Sequence, residues 1–119
     1  PGPSSSPIRK FLVLIDGETV GRGSEELGRI LMRSFLLTLK EIDPLPWRII
    51  FMNSGVKLAV EESPYLDPLS DLSALGVEIL CCGTCLDYYN LKEKLKVGRI
   101  SNMFEITTSF LESGSVMKP

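Results

Sequence analysis

Short, nearly unbroken apolar runs that alternate with helical patterns constrain this chain more than any other feature of it. Residues 10–15 (Lys-Phe-Leu-Val-Leu-Ile), 47–53 (Trp-Arg-Ile-Ile-Phe-Met-Asn) and 77–82 (Val-Glu-Ile-Leu-Cys-Cys) are three such runs. A strand that is apolar on both faces must be covered on both, which is the pattern of a parallel sheet inside an α/β domain. The first run leads into a polar loop, 16–23. Ser24 then suits a helix cap, Glu25 and Glu26 suit the first turn, and a 3.6-residue apolar period continues to about Ile42, where Asp43-Pro-Leu-Pro46 stops it. Short helices are expected over 56–62 and 66–75, broken at Ser63-Pro64 and ended by Gly76. The third run breaks at Gly83 and resumes as a helix expected from residue 84 or 85 to 95, ending near Val97-Gly98. A short strand at 99–101, a helix at 103–112 capped by Ser101 or Asn102, and a fifth short strand within 115–118 complete the pattern. Strands that alternate with helices imply right-handed crossovers. The expected fold class is therefore α/β: one domain with a mostly parallel sheet of four to five strands and helices on both faces.

The chain has 119 residues, enough for one real core and not for two. Its formal net charge of −2 speaks against a broad nucleic-acid or anionic-membrane surface, so neither is expected as a partner. No stretch approaches the roughly 18 apolar residues of a membrane span. There is no histidine, which removes the Ser/His/Asp triad, the Cys/His pair and every histidine metal site. Three cysteines cannot all pair with one another, and two of them lie in a Cys-x-x-Cys. That usage fits a reducing compartment, here expected to be the cytoplasm, and not a disulfide scaffold. Residues 1–7 (Pro-Gly-Pro-Ser-Ser-Ser-Pro) read as a disordered linker or tag remnant and residues 8–119 as the domain. The opening on Pro1 suggests a piece of a longer protein with another domain attached there.

The strand ends bring the chemistry together. Cys82-Gly83-Thr84-Cys85 spans the turn after the third strand, at the carboxyl end where open α/β sheets build their ligand sites. Two thiols three residues apart are close enough to form a disulfide or to pass sulfur between them. The nearby helix N-terminus favours the thiolate, and the N–H groups of Gly83 and Thr84 are available to an anion. Cys81, inside the strand, reads as a small buried hydrophobe. A zinc site needs about four N or S ligands, more than one copy of this chain offers, so no metal is expected. Asn53-Ser-Gly-Val-Lys57, after the second strand, offers an amide, free N–H groups and an ammonium. Arg22, between Gly21 and Gly23, is placed to swing over the thiol, but Gly21-Arg-Gly23 does not meet the dinucleotide fingerprint. Asp16 and Glu18 read as solvated loop carboxylates and Tyr88-Tyr89 as core plus rim.

Leu80-Cys-Cys-Gly-Thr-Cys-Leu-Asp-Tyr-Tyr-Asn-Leu-Lys-Glu-Lys-Leu-Lys-Val-Gly98 and Ile100-Ser-Asn-Met103 resemble the C-terminal domain of YedF-type selenium-metabolism proteins, within the DsrE/DsrF/DsrH-like, sulfurtransferase-like group. Asp16-Gly, Gly23-Ser-Glu-Glu-Leu-Gly28 and Phe51-Met-Asn-Ser-Gly-Val-Lys-Leu58 are similar to the first two strand-to-helix segments of that group. The resemblance implies a three-layer α/β/α domain and homo-oligomers: dimers, trimers or hexamers. It implies a partner, either a TusA-like sulfur-carrier domain or another sulfur-relay protein. It also implies a sulfur or selenium carrier without a cofactor, with a persulfide on Cys82 and Cys85 as resolver or second acceptor. Gly83, Thr84, Arg22, Asn53 and Lys57 would surround the anion. Two alternatives use the same crevice: a binding or regulatory module in which the cysteines are structural or redox-sensing, and a dithiol redox protein that cycles a Cys82–Cys85 disulfide.

Overall fold

Five strands, β1 (Phe11–Ile15), β2 (Arg48–Phe51), β3 (Glu78–Cys82), β4 (Arg99–Ser101) and β5 (Ser115–Met117), pair in the order β4-β3-β2-β1-β5, every pair parallel. The computed structural model describes residues 10–119; the linker expected over 1–7 lies outside them. Helices α1 (Glu25–Leu39), α2 (Leu66–Ala74), α3 (Gly83–Tyr88) and α4 (Met103–Glu112) make the connections. From β1 to β4 each new strand is added on the same side of the last, so right-handed crossovers put α1, α2 and α3 on one face of the sheet. The return from β4 to the far edge at β5 runs the other way and puts α4 on the opposite face. Side-chain contacts agree: Arg48 and Glu78 are register partners on one face, and Arg48 reaches Ser109 of α4 at 2.6 Å. The result is the three-layer α/β/α arrangement, with a sheet that is wholly parallel.

The central strands are apolar on both faces because both faces are covered: Leu12, Val13, Ile49, Ile50, Phe51 and Leu80 are fully buried. The Ser24 hydroxyl caps α1 by accepting the Leu27 N–H at 3.1 Å. Met32, Leu36 and Leu39 then form its inner stripe. The helix ends three residues short of the expected Ile42, before Asp43 and Pro44. The Asn102 side chain caps α4 by accepting the Glu105 N–H at 2.9 Å.

Two helices expected from the sequence are built differently. The helix expected over 56–62 is a 3₁₀ helix at Asn53–Ala59. Gly55, Val56, Leu58 and Ala59 are all buried, so this stretch turns most of its surface inward and keeps only Asn53, Ser54 and Lys57 toward the solvent side. A tight 3₁₀ coil serves it where a regular amphipathic helix cannot. The helix expected to run to residue 95 stops at Tyr88. Asn90 takes a left-handed φ of 59°, and the Leu91 N–H turns back to the Leu86 carbonyl at 2.8 Å, which ends the helix. The chain beyond Asn90 is anchored to a different part of the domain: Val60 and Leu95 form an antiparallel bridge, and the Lys96 N–H reaches the Ala59 carbonyl at 2.9 Å. Residues 91–97 therefore belong to the segment after β2 and not to α3.

Candidate functional site

Strands β2 and β3 pair with Phe51 opposite Cys81, so whatever leaves their carboxyl ends must meet. Two glycines permit the close approach. A Cβ on Gly55 would collide with the Ile15 carbonyl, so the 3₁₀ helix can lie against the end of β1 only if residue 55 has none. A Cβ on Gly83 would sit 3.0 Å from the Ser101 carbonyl oxygen and 3.1 Å from Ile100 Cγ2, so the turn into α3 is pressed against β4. Together these contacts bring Asn53 against α3.

The three thiols have three environments. Cys81 is fully buried within β3, and burial, reinforced by the neighbouring charge of Cys82, pushes its thiol up to about 12. It is a packing residue, as its position in the strand suggests. Cys82 closes β3 and stands at the N-cap of α3, where its Sγ accepts the Cys85 N–H at 3.4 Å. It is only 3% exposed. Cys85 is half-buried, and its Sγ accepts the main-chain N–H of Asn53 at 3.1 Å. Burial pushes the Cys85 thiol up, and so do its hydrogen bond to Cys82 and the charge on that residue; the Asn53 N–H works against them.

Cys85 faces a cavity of about 390 Å³ whose other walls are Asn53, Thr84, Tyr88 and Tyr89. The Asn53 backbone is left-handed, φ 51°, which aims its N–H at the sulfur. Its side-chain Oδ1 accepts the Tyr89 hydroxyl at 3.1 Å. The Lys57 ammonium lies 4.5 Å from the centroid of the Tyr89 ring, and Tyr88 packs edge-on to Tyr89 at 5.1 Å between centroids. A chain of direct contacts therefore runs from Lys57 through Tyr89 and Asn53 to the Cys85 sulfur. The arrangement can hold a sulfur anion, or a sulfur bonded to Cys85, between one N–H donor and an aromatic wall.

Of the residues singled out in the sequence, Asn53, Thr84 and Cys85 line this cavity. Cys82 lies directly behind Cys85, and Gly83 is buried in the turn. Lys57 touches the cavity through Tyr89 and lines an adjoining one. Arg22 stands exposed in the loop after β1; among the described residues it makes no ion pair and lines neither cavity. Tyr89 is the residue that sequence reasoning missed. Its signal was spacing: four residues after Cys85 is one helical turn on the same face, and Tyr88 follows at three. Among the described residues, no three Cys, Asp or Glu side chains gather to hold a metal ion.

Over residues 10–119 the sequence matches the DsrE/DsrF-like family. No curated protein is significantly similar. Among solved structures, the YchN protein of E. coli superposes with a TM-score of 0.73 at 20% identity, covering 94% of this chain and 100% of its own. MTH1491 of Methanobacterium thermoautotrophicum gives 0.66 at 21% identity, covering 94% and 100%. BT1422 of Bacteroides thetaiotaomicron gives 0.62 at 14%, covering 92% and 95%. At these identities the likeness is one of fold.

Proposed function

The chain belongs to the DsrE/DsrF-like family, and from that premise we propose that it is a sulfur- or selenium-carrying protein whose cargo is held as a persulfide on the Cys82/Cys85 pair. The observation that carries this reading is the Cys85 sulfur itself. It faces a cavity, a main-chain N–H is aimed at it at 3.1 Å, and the second thiol, Cys82, lies behind it, accepting the Cys85 main-chain N–H at 3.4 Å. Cys85 is the sulfur an incoming donor meets, because Cys82 is only 3% exposed. The Cys85 thiolate attacks the outer sulfur of a donor persulfide, forming Cys85–S–SH and releasing the donor thiolate, which takes up a proton. Cys82 then plays one of two parts. It accepts the outer sulfur by the same exchange, or it attacks Cys85 Sγ, closing a disulfide and expelling hydrosulfide. The first part keeps the cargo; the second discharges it. The transfer needs no redox cofactor. The domain would work in the cytoplasm as a homo-oligomer, receiving from or giving to a TusA-like domain or another sulfur-relay protein.

The test is sulfur uptake from inorganic polysulfide, read cysteine by cysteine by mass spectrometry on the reduced protein. One added sulfur on Cys85 is expected, abolished in Cys85→Ser, retained in Cys82→Ser and unaffected in Cys81→Ser. No added sulfur on any cysteine would end the carrier reading. Uptake that survives Cys85→Ser but not Cys82→Ser would move the cargo to Cys82. A reversible Cys82–Cys85 disulfide without sulfur uptake would instead favour a dithiol redox protein.

A further inference from the structure

Tyr89 is the wall of two cavities. On one side is the thiol cavity; on the other is a second of about 410 Å³, lined by Glu18, Arg29, Lys57, Glu61, Glu62 and Tyr65 among others. The two differ in character. The first has two tyrosine rings, an amide, a hydroxyl and a sulfur. The second has two cations and three carboxylates. The charges of the second are poorly satisfied by one another. Lys57 holds Glu18 at only 3.8 Å, and Arg29 holds Glu25 at only 3.8 Å. Glu61 and Glu62 make no ion pair among the described residues. Glu62 is held in a left-handed backbone, φ 71°, which places a carboxylate where an ordinary turn would not.

From this arrangement we propose that the second cavity is the recognition site for the charged end of the sulfur donor, and that the donor is a small, peptide-like thiol carrying both carboxylate and ammonium groups. The proposal rests on the carrier reading for what happens at Cys85, but not for the binding itself. An anionic donor would want Arg29 and Lys57 without the three carboxylates, and a cationic donor the reverse; a zwitterion uses both. Tyr89 lines both cavities, so a ligand with its thiol beside Cys85 reaches the charged groups by passing one phenol ring. The cavities, each a few hundred Å³, are the size that small ligands fill. In the transfer the Cys85 thiolate bonds to the donor's outer sulfur and the donor's own S–S bond breaks. Its thiolate leaves still held by its charged end, ready to be exchanged for a fresh donor.

The experiment measures the rate at which wild-type protein releases thiol from four symmetrical disulfides: glutathione disulfide (zwitterionic arms), cystamine (cationic), dithiodipropionate (anionic) and hydroxyethyl disulfide (neutral). Each rate is divided by that of the same disulfide with a free reference thiol, which removes intrinsic reactivity. Glutathione disulfide is expected to exceed each of the others by about tenfold, the worth of one charge-assisted hydrogen bond. Arg29→Gln, at a position outside the thiol cavity, should reduce that advantage several-fold while leaving hydroxyethyl disulfide unchanged; Lys57→Gln should also reduce it, read as the ratio to hydroxyethyl disulfide because Lys57 stacks on Tyr89. Glu61→Gln and Glu62→Gln should reduce it by removing the ammonium partners. Equal normalised rates, or a fastest rate for the purely anionic or purely cationic disulfide, overturn the proposal. The polysulfide experiment separates the two readings. Sulfur uptake without a charge preference leaves the carrier and removes this site. A charge preference without sulfur uptake leaves the site and removes the carrier.

Discussion

At the scale of residues the site depends on where one N–H points. Asn53 makes its contact to Cys85 through the main chain, and its side chain is engaged by Tyr89 at 3.1 Å. Tyr89 is therefore a positioning residue: its hydroxyl holds the side chain of the residue whose main-chain N–H meets the sulfur. Tyr89→Phe keeps the ring and its stacking with Lys57 and removes only the hydroxyl. With the Asn53 N–H less firmly aimed, the Cys85 thiolate loses part of its stabilisation. Its alkylation at pH 7.5 should slow by about threefold, the effect of weakening one hydrogen bond. The pH profile should move to higher pH, while the melting temperature stays near that of the parent. An unchanged profile would mean that the Asn53 turn holds itself. The thiol pair was legible in the sequence, because Cys82-Gly-Thr-Cys85 at the end of an apolar run has few other uses. Asn53 and Lys57 were legible as neighbours, but not as links in one chain of contacts. Tyr89 was hidden because an adjacent pair of tyrosines is equally consistent with core. Arg22, expected near the thiol from its place at a strand end, stands exposed and lines neither cavity among the described residues.

At the scale of elements, the sheet edge and α4 are joined by charge. Arg99 holds Glu105 at 2.6 Å and Glu78 at 3.2 Å, Arg48 holds Glu78 at 2.8 Å, and the Ser101 hydroxyl donates to Glu105 at 2.6 Å. The Arg99 guanidinium, followed by the Ser101 hydroxyl, holds the Glu105 carboxyl down to about 2. The folded value lies below the ordinary 4.5, so the unfolded chain takes the proton first as pH falls. The stabilisation is complete above about 4.5 and is lost progressively as pH falls toward 2. With the side chain 27% exposed, Glu105→Gln should cost about 1–2 kcal/mol at pH 7. The gap from the parent should narrow between pH 4.5 and 2; denaturant unfolding at pH 7, 4 and 2.5 measures it. A gap that does not depend on pH would mean the loss is one of packing. The fit between the 3₁₀ helix and β1 gives a second test. Gly55→Ala forces a methyl into the Ile15 carbonyl. It should destabilise by about 2–4 kcal/mol and disturb Cys85, since the same segment begins at Asn53. Normal stability in that variant would show that the segment can move aside. Strand positions and both helix caps could be read from apolar runs and from Ser24 and Asn102. The short α3 could not, because its end depends on Asn90 turning left-handed and on Val60 bridging Leu95. Those are pairings between distant segments, and local periodicity does not carry them.

At the scale of the whole molecule, the strand order divides the helices unevenly. Among the described residues, three helices cover one face of the sheet and α4 alone covers the other, across five strands. One helix is about 10 Å wide, whereas five strands at about 4.8 Å spacing span roughly twice that. The shortage falls toward β5, where Val116 shares the α4 face with its register partner Leu12 and stays exposed. The helix itself is apolar on both sides. Ile106 packs inward, while Phe104 and Leu111, seven residues apart and so on one stripe, are each 80% exposed. Two large side chains left this bare on a thinly covered face are what an association surface looks like. The homo-oligomer implied by the family resemblance should therefore form through α4. The thiol cavity, built from α3 and the segment after β2, belongs to the three-helix side and would stay open. Phe104→Asp with Leu111→Asp should give a monomer in analytical ultracentrifugation at concentrations where the parent associates. The variant should keep its circular dichroism and its Cys85 alkylation rate, because neither residue supports the sheet or the site. Association that survives both substitutions would shift the contact to Leu27, Ile30 and Leu31, the exposed apolar residues of α1. A loss of Cys85 reactivity along with association would mean that the cavity is completed by a second copy.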